Sequence, residues 1–254
     1  MQHKFRESVI TTLPLIVFLA LWQAITGDRG RLQFLFSSPV QIFRKAVSEY
    51  TGGSVWHDLF VTGTETVLGL LCGSAIGILT GLLMWGNGRF GRIARPYVIV
   101  LGSIPVFAIA PMLIIWFGIG LLSKVVMAAF GVALIAIVQS YEGAQHAAGQ
   151  HLFFARSLGA GQDDIVRKII VPGSLRWVMT GIKINIGMAL LGAFIGEFVN
   201  SDAGLGHYIL RAGSLYDMAG VIFGIFNLSL LALSLNGLAA LAERIWFPWT
   251  VKQG

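Results

Sequence analysis

"ARSLGAGQDDIVRKIIVPGS", residues 155–174, is a polar interruption in a chain that otherwise avoids water. It gathers two adjacent aspartates, an Arg-Lys pair and a late proline. The 254 residues of the chain are 56% hydrophobic and 12% charged, with a mean hydropathy of +0.77. Soluble domains carry about 25% charged residues, so this composition points to an all-α membrane protein. The 32 glycines suit helices packed closely in lipid, where small residues let backbones approach. One cysteine, Cys72, excludes an internal disulfide and the cysteine-rich zinc patterns.

Six apolar stretches approach or exceed the ~20 residues that a bilayer-spanning helix needs. They are about 9–27, 57–84, 97–117, 121–142, 175–199 and 217–241, within a single membrane domain over 1–254. The first follows a short basic head, Lys4 and Arg6, and no small-x-small cleavage site stands out before Asp28. It reads as a retained span rather than a signal peptide. With the N-terminus inside, the inner side carries Lys4, Arg6, Arg89, Arg92, Arg95, Arg156, Arg167, Lys168, Arg176, Arg244 and Lys252. The outer side carries fewer positives: Arg29, Arg31, Arg44, Lys45, Lys124 and Arg211. That excess puts both termini in the cytoplasm. The net charge of +6 is therefore a topology signal, and the partner expected from it is membrane lipid, with no nucleic acid.

Outside the spans, "SSPVQIFRKAVSEY" (37–50) starts with Ser-Pro and reads as a short amphipathic helix on the outer surface. In the second span Gly69, Gly73, Gly77 and Gly81 fall on one helix face, which suits close packing or a lining of the pathway. Trp22, Trp85, Trp116, Trp246 and Trp249 lie near span ends, as interfacial anchors do.

The opening stretch lies in a cytoplasmic segment, about 143–174, between the fourth and fifth spans. Gly159 suits a left-handed helix stop. Gly161 suits the N-cap of a second helix, with Asp163 and Asp164 in its first turn, where negative charge is favoured. Ile165, Val166, Ile169 and Ile170 form an apolar stripe, and Val171-Pro172 allows a turn into the next span. The expectation is a rigid elbow of two short helices, a handle that another protein can move.

On these residues the chain resembles the membrane permeases of binding-protein-dependent ABC importers. Their cytoplasmic signature reads E-A-A-x-x-x-G, nine residues, then I-x-L-P. Ala155, Gly159, Ile169 and Pro172 stand at those positions, with Val171 for the leucine. "ARSLGAG" (155–161), "GEFVNSDAGLG" (196–206) and "SIPVFAIAPMLIIWFGIGLLSKV" (103–125) are similar to the branch handling nitrate, sulfonates, taurine, bicarbonate and some pyrimidine precursors. The resemblance implies a type I importer fold in the bacterial inner membrane. It implies that residues 150–172 form a coupling element, with Ala155, Arg156, Ser157, Leu158, Gly159, Ala160, Asp163, Asp164 and Pro172 meeting a separate ATPase subunit. Two copies of that ATPase, using ATP and Mg, would serve a homodimer of this chain, supplied by a periplasmic or surface-anchored solute-binding protein. The chain itself would bind no cofactor. It has no Gly-x-x-x-x-Gly-Lys-Ser/Thr phosphate loop, and so is not expected to be an enzyme.

Three departures stand out. Phe153 and Phe154 replace the signature's Glu-Ala, and Gly161 replaces a serine cap. "TGTE" (62–65) replaces a Ser-x-x-Arg step, which puts a carboxylate, Glu65, where an arginine could greet an anion. A neutral or cationic substrate then gains on nitrate, sulfonate or bicarbonate, as does an anion recognised elsewhere.

Ionisable groups at span depth are functional candidates because a bare charge in lipid is expensive. Glu65 suits the pathway or the outer interface, and Lys183 the pathway or a snorkelling anchor. Glu197 suits a hydrogen bond to the following loop or a substrate contact, and Asn185 the pathway or a dimer contact. His146 and His151, five apart, do not form a metal-binding i, i+4 pair. The alternative to an ATP-driven permease is a carrier driven by an ion gradient, which leaves the elbow unexplained.

Overall fold

The computed structural model describes residues 2–27 and 30–246, and their side chains except those of residues 2–12, 15, 150, 151, 162, 163 and 246. Every element is helical: α1 (Gln2–Thr26), α2 (Gly30–Phe36), α3 (Pro39–Gly52), α4 (Ser54–Gly86), α5 (Gly88–Gly102), α6 (Val106–Phe117), α7 (Leu121–Ser157), α8 (Gln162–Ile165), a π-helical segment (Val166–Ile170), α9 (Val171–Val199), α10 (Leu205–Ser214) and α11 (Met218–Trp246). Arg29, Trp249 and Lys252 lie outside the described residues, as do the side chains of Lys4, Arg6, His151, Asp163 and Trp246.

The spine is α4, α7 and α9. A Cβ on Gly73 would stand 2.6 Å from the Ala129 carbonyl oxygen, and one on Gly77 2.6 Å from that of Ala133. A Cβ on Gly69 would collide with Ala128, and one on Gly81 with the Ser140 hydroxyl. The four-residue spacing of these glycines therefore serves close packing of α4 on α7. From the other side, a Cβ on Gly192 of α9 would lie 2.5 Å from the Ala128 Cα. Ala128 is thus the point where three backbones converge.

Among the described residues, four helical stretches are long and apolar enough to cross a bilayer: Ser54–Gly86, Leu121–Gly149, Val166–Val199 and Met218–Ile245. The stretch expected to span at 97–117, which Pro105 and Pro111 interrupt in the sequence, is a broken span in which α5 and α6 meet at 96°. Its cause is local. Pro105 has no N–H to donate and disfavours helix at Ile104, and its extended ψ of 126° redirects the chain. Counted as one span, this pair makes the fifth. Of the expected first span, Ile16–Thr26 is an apolar helix within α1.

At one end of the bundle α3 starts as its sequence predicts. Ser38 caps it, accepting from the Gln41 N–H, Pro39 opens the helix, and Gly53 closes it at φ 82°. Lys45 pairs with Asp217 at 2.8 Å and Glu49 at 3.1 Å, tying α3 to the start of α11. The hydrogen bond to Asp217 raises the Lys45 pKa. Burial opposes ionisation of Asp217, but the bonds from Lys45 and the Gly220 N–H hold its pKa below the ordinary value.

At the other end α7 continues past 142 to Ser157. Its 37 residues, at ~1.5 Å each, exceed a ~30 Å hydrocarbon core by several turns. The elbow therefore projects from the bundle.

Candidate functional site

The elbow is built by a Schellman turn. The Ala160 N–H donates to the Ala155 carbonyl at 3.1 Å and the Gly159 N–H to that of Arg156 at 3.0 Å, with Gly159 at φ 77°. The Gly161 carbonyl accepts the first bond of α8, from Ile165, so Gly161 stands at the N-cap position. Ala155, Ile165 and Ile170 are buried together with Ala144 and Ala148, against Leu82 and Trp85 at the end of α4. The polar stretch is thus clamped to two spans by its apolar stripe.

What remains outward is a compact exposed face. Arg156, Ser157, Leu158 and Gly159 are exposed, and beside them Phe153 and Phe154 are 88% and 67% exposed. Asp164 pairs with Lys168 at 2.7 Å on the surface, and that hydrogen bond lowers its pKa.

The sequence reading places a turn at Val171-Pro172; the structure has none. Backbone angles stay helical through Ile165, Ile170 and Val171, so α8, the π-helical segment and α9 form one continuous path. The wide turn is the physical reason. The Val171 N–H reaches back five residues to Val166, which lets Pro172 enter without the usual clash. The elbow and α9 are therefore joined by unbroken helical backbone.

At the opposite end, the acid of "GEFVNSDAGLG" anchors its own loop. Glu197 Oε1 accepts from the Thr62 hydroxyl at 2.6 Å and Oε2 from the Gly206 N–H at 2.6 Å. The Thr62 oxygen in turn accepts from the Leu205 N–H at 2.8 Å, and Asp58 accepts from the Gly204 N–H at 2.8 Å. Gly204 sits at φ 104° against the Glu197 carboxylate, where a side chain has neither the conformation nor the room. Glu65 faces Lys124 at 3.7 Å, and Glu65, Lys124 and Glu197 are all buried between α4, α7 and α9.

Lys183 donates to Glu243 at 2.6 Å, joining α9 to α11. Asn185 donates to Gln139 of α7 at 3.4 Å, while its own carbonyl oxygen is buried without a partner. Lys124, Glu243 and Gln139 were not singled out by sequence. A polar residue within an apolar span was the signal available for Gln139. The ion-pair partners lie about sixty residues apart in sequence and carry no such signal. His146 stacks on Trp177 at 4.6 Å, and no metal-binding cluster occurs among the described residues.

Where α5 breaks from α6, a half-open cavity of about 630 Å³ lies against α7 and α9. Ser103, Pro105, Phe107, Phe130, Gln139 and Met188 are among its lining residues. Irregular backbone at membrane depth persists only where it is buried in protein or lines a cavity. Gln139 connects this cavity to Asn185; Glu65, Lys183 and Glu197 do not line it.

An elbow clamped to a bundle of spans and a broken helix beside a cavity are parts of a transport component. Residues 73–246 match the protein family described as "Binding-protein-dependent transport system inner membrane component". The chain belongs to this family. It is 30% identical over 249 residues to the formylaminopyrimidine transport permease protein ThiX of Halalkalibacterium halodurans, covering 97% of this chain and 98% of that one. It is 25% identical to the taurine transport system permease protein TauC of Escherichia coli over 250 residues, with 96% and 90% covered. Among solved structures, inward-facing MetNI, a methionine ABC transporter, superposes with a TM-score of 0.63 at 19% identity, covering 76% of this chain and 98% of that chain; this likeness shows the fold. The permease is an inner-membrane subunit of an importer, and ATP hydrolysis belongs to a separate subunit. Its family gives it an ATP-binding subunit and a solute-binding protein as partners.

Proposed function

We propose that this permease forms the translocation pathway of an importer and is driven through the 150–172 elbow by its ATPase. The carrying observation is the elbow itself. Its inner stripe is locked onto α4 and α7, its outer face is free, and its helical path runs unbroken into α9. Leu158, Phe153 and Phe154 supply the apolar contact, while Arg156 and Asp164 supply the polar rim. Phe153 takes the place of the signature's glutamate, so the joint with the ATPase is apolar where an ionic contact is expected. Gly159 sets the angle and Pro172 sits where the wide turn hands motion to α9. The ATPase, present as two copies, supplies ATP and Mg chemistry that this chain does not perform.

Two copies of the permease would enclose the pathway, with both termini cytoplasmic and the α3 end facing the solute-binding protein. The cavity beside the α5–α6 break is the pathway element of each copy, with Gln139 and Asn185 as its amides. The cargo is a small solute delivered by the binding protein, of the nitrate, sulfonate, taurine, bicarbonate or pyrimidine-precursor kind. The test is uptake into proteoliposomes holding the permease, its ATPase and its binding protein. Uptake is expected to need ATP and to survive an ionophore that collapses ion gradients. Uptake abolished by the ionophore and indifferent to ATP would instead establish a gradient-driven carrier.

A further inference from the structure

The cavity at the broken span also speaks to the chemistry of the cargo. We infer that the permease passes a neutral heteroaromatic solute, recognised by stacking and by a single amide, rather than an anion. This rests on the proposed function.

Among the described residues, no aspartate, glutamate, lysine, arginine or histidine lines the cavity. Lys124 of α7 and Lys183 of α9 are committed elsewhere, to Glu65 and to Glu243. A sulfonate or nitrate entering here would give up water and meet no counter-charge, which is unfavourable in a low-dielectric site. The uncapped first turn of α6, at Val106 and Phe107, offers only a partial positive charge. That suits a carbonyl or ring-nitrogen acceptor better than a full anion.

The walls favour a flat, polarisable ring. Phe107, Phe130 and Met188 offer two aromatic faces and a thioether, the groups against which aromatic ligands pack well. Of the two polar side chains in the lining, Ser103 already donates to the Val100 carbonyl at 2.7 Å, which leaves Gln139 to orient such a ring. Gln139 is half-buried and accepts only the long 3.4 Å contact from Asn185. Its amide N–H₂ donates to no acceptor among the described residues. A ring nitrogen or formyl oxygen would take that donor, as a small-molecule site with few convergent polar groups requires.

The test is protection from alkylation in the whole transporter, co-purified with its ATPase and held in nanodiscs. In a Cys72→Ser background, Leu134→Cys and Val138→Cys each place one thiol on the cavity wall. Their rates of reaction with a maleimide are measured with a formylaminopyrimidine, taurine or nitrate present. At about four times its Kd a ligand slows the reaction about fivefold by mass action. The pyrimidine is expected to do so at both positions, and nitrate and taurine, which carries a full sulfonate charge beside its ammonium, to leave the rates unchanged. Adding Gln139→Leu should bring the protection under about twofold, through loss of one hydrogen bond. Protection by taurine or nitrate, or by none of the three, overturns the inference. So does a thiol unreactive throughout, because a second copy then covers the groove. ATP with vanadate should change both rates without any solute. If it does not, the permease reading itself fails, which separates the two outcomes.

Discussion

Replacing Thr62 with valine keeps the shape of the side chain and removes one buried hydroxyl that bonds in two directions. The hydroxyl donates to Glu197 at 2.6 Å and accepts from the Leu205 N–H at 2.8 Å. A hydrogen bond to a charged group contributes about 1.5–3 kcal/mol, and a buried N–H left without an acceptor costs about 1–3 kcal/mol. Thr62 is wholly buried, so water cannot make good either loss in place. Together Thr62→Val should weaken the attachment of residues 201–206 by about 3 kcal/mol or more. Glu197 keeps the Gly206 N–H and Gly204 keeps Asp58, so the loop loosens without the bundle unfolding. The assay is hydrogen exchange of the backbone amides of Gly204, Leu205 and Gly206. At about tenfold per 1.4 kcal/mol, their exchange should quicken about 100-fold. Thr62→Ser, which keeps the hydroxyl, should stay within about tenfold of the native chain. Unchanged protection in Thr62→Val would refute the loop anchor and return Glu197 to a contact with the cargo.

Other outcomes follow from the same contacts. Gly73→Val should lower stability by about 2–3 kcal/mol through overpacking, because even a Cβ there stands 2.6 Å from the Ala129 oxygen. Gly187→Ala, with open space around it, should be neutral or slightly stabilising, and thermal melting of both variants beside the native chain checks the pair. Asp217 has a lowered pKa, so the Lys45–Asp217 pair stabilises above the unfolded aspartate value near pH 4 and is lost as pH falls through the folded value. Both side chains are about a third exposed, so Asp217→Asn should cost under about 1 kcal/mol at pH 7, with the difference from the native chain vanishing in acid. Gly159→Ala should cost about 1–2 kcal/mol for its left-handed backbone and slow ATP-dependent uptake.

Much of this was legible from residues acting within one helix turn of each other. The glycine ladder of α4, the Ser38-Pro39 start of α3 and the Gly159 stop each follow from local geometry, and each stands where its spacing puts it. The break at Ser103–Pro105 was visible as a proline, but its 96° angle was not, because a proline removes a hydrogen bond without saying which way the chain leaves. The passage through Pro172 failed for the converse reason. A π-turn absorbs a proline that otherwise ends a helix, and nothing in "RKIIVP" announces one. The polar residues of 143–157 hid the length of α7, since a helix leaving the bilayer loses its apolar pattern and keeps its backbone. The pairs Glu65–Lys124 and Lys183–Glu243 join distant helices and needed the structure.

The elbow's grip on an ATPase is tested most directly by purifying the permease from its native membrane with and without two changes, Gly159→Pro and Phe153→Asp. Proline cannot take the φ of 77° that the turn requires, and aspartate puts charge on the 88%-exposed aromatic face without touching the packed stripe. The native chain should bring down a phosphate-loop ATPase in equal amount, and both variants should lose it while Phe153→Asp melts at the native temperature. An ATPase retained by both variants, or absent from all three preparations, would contradict the account.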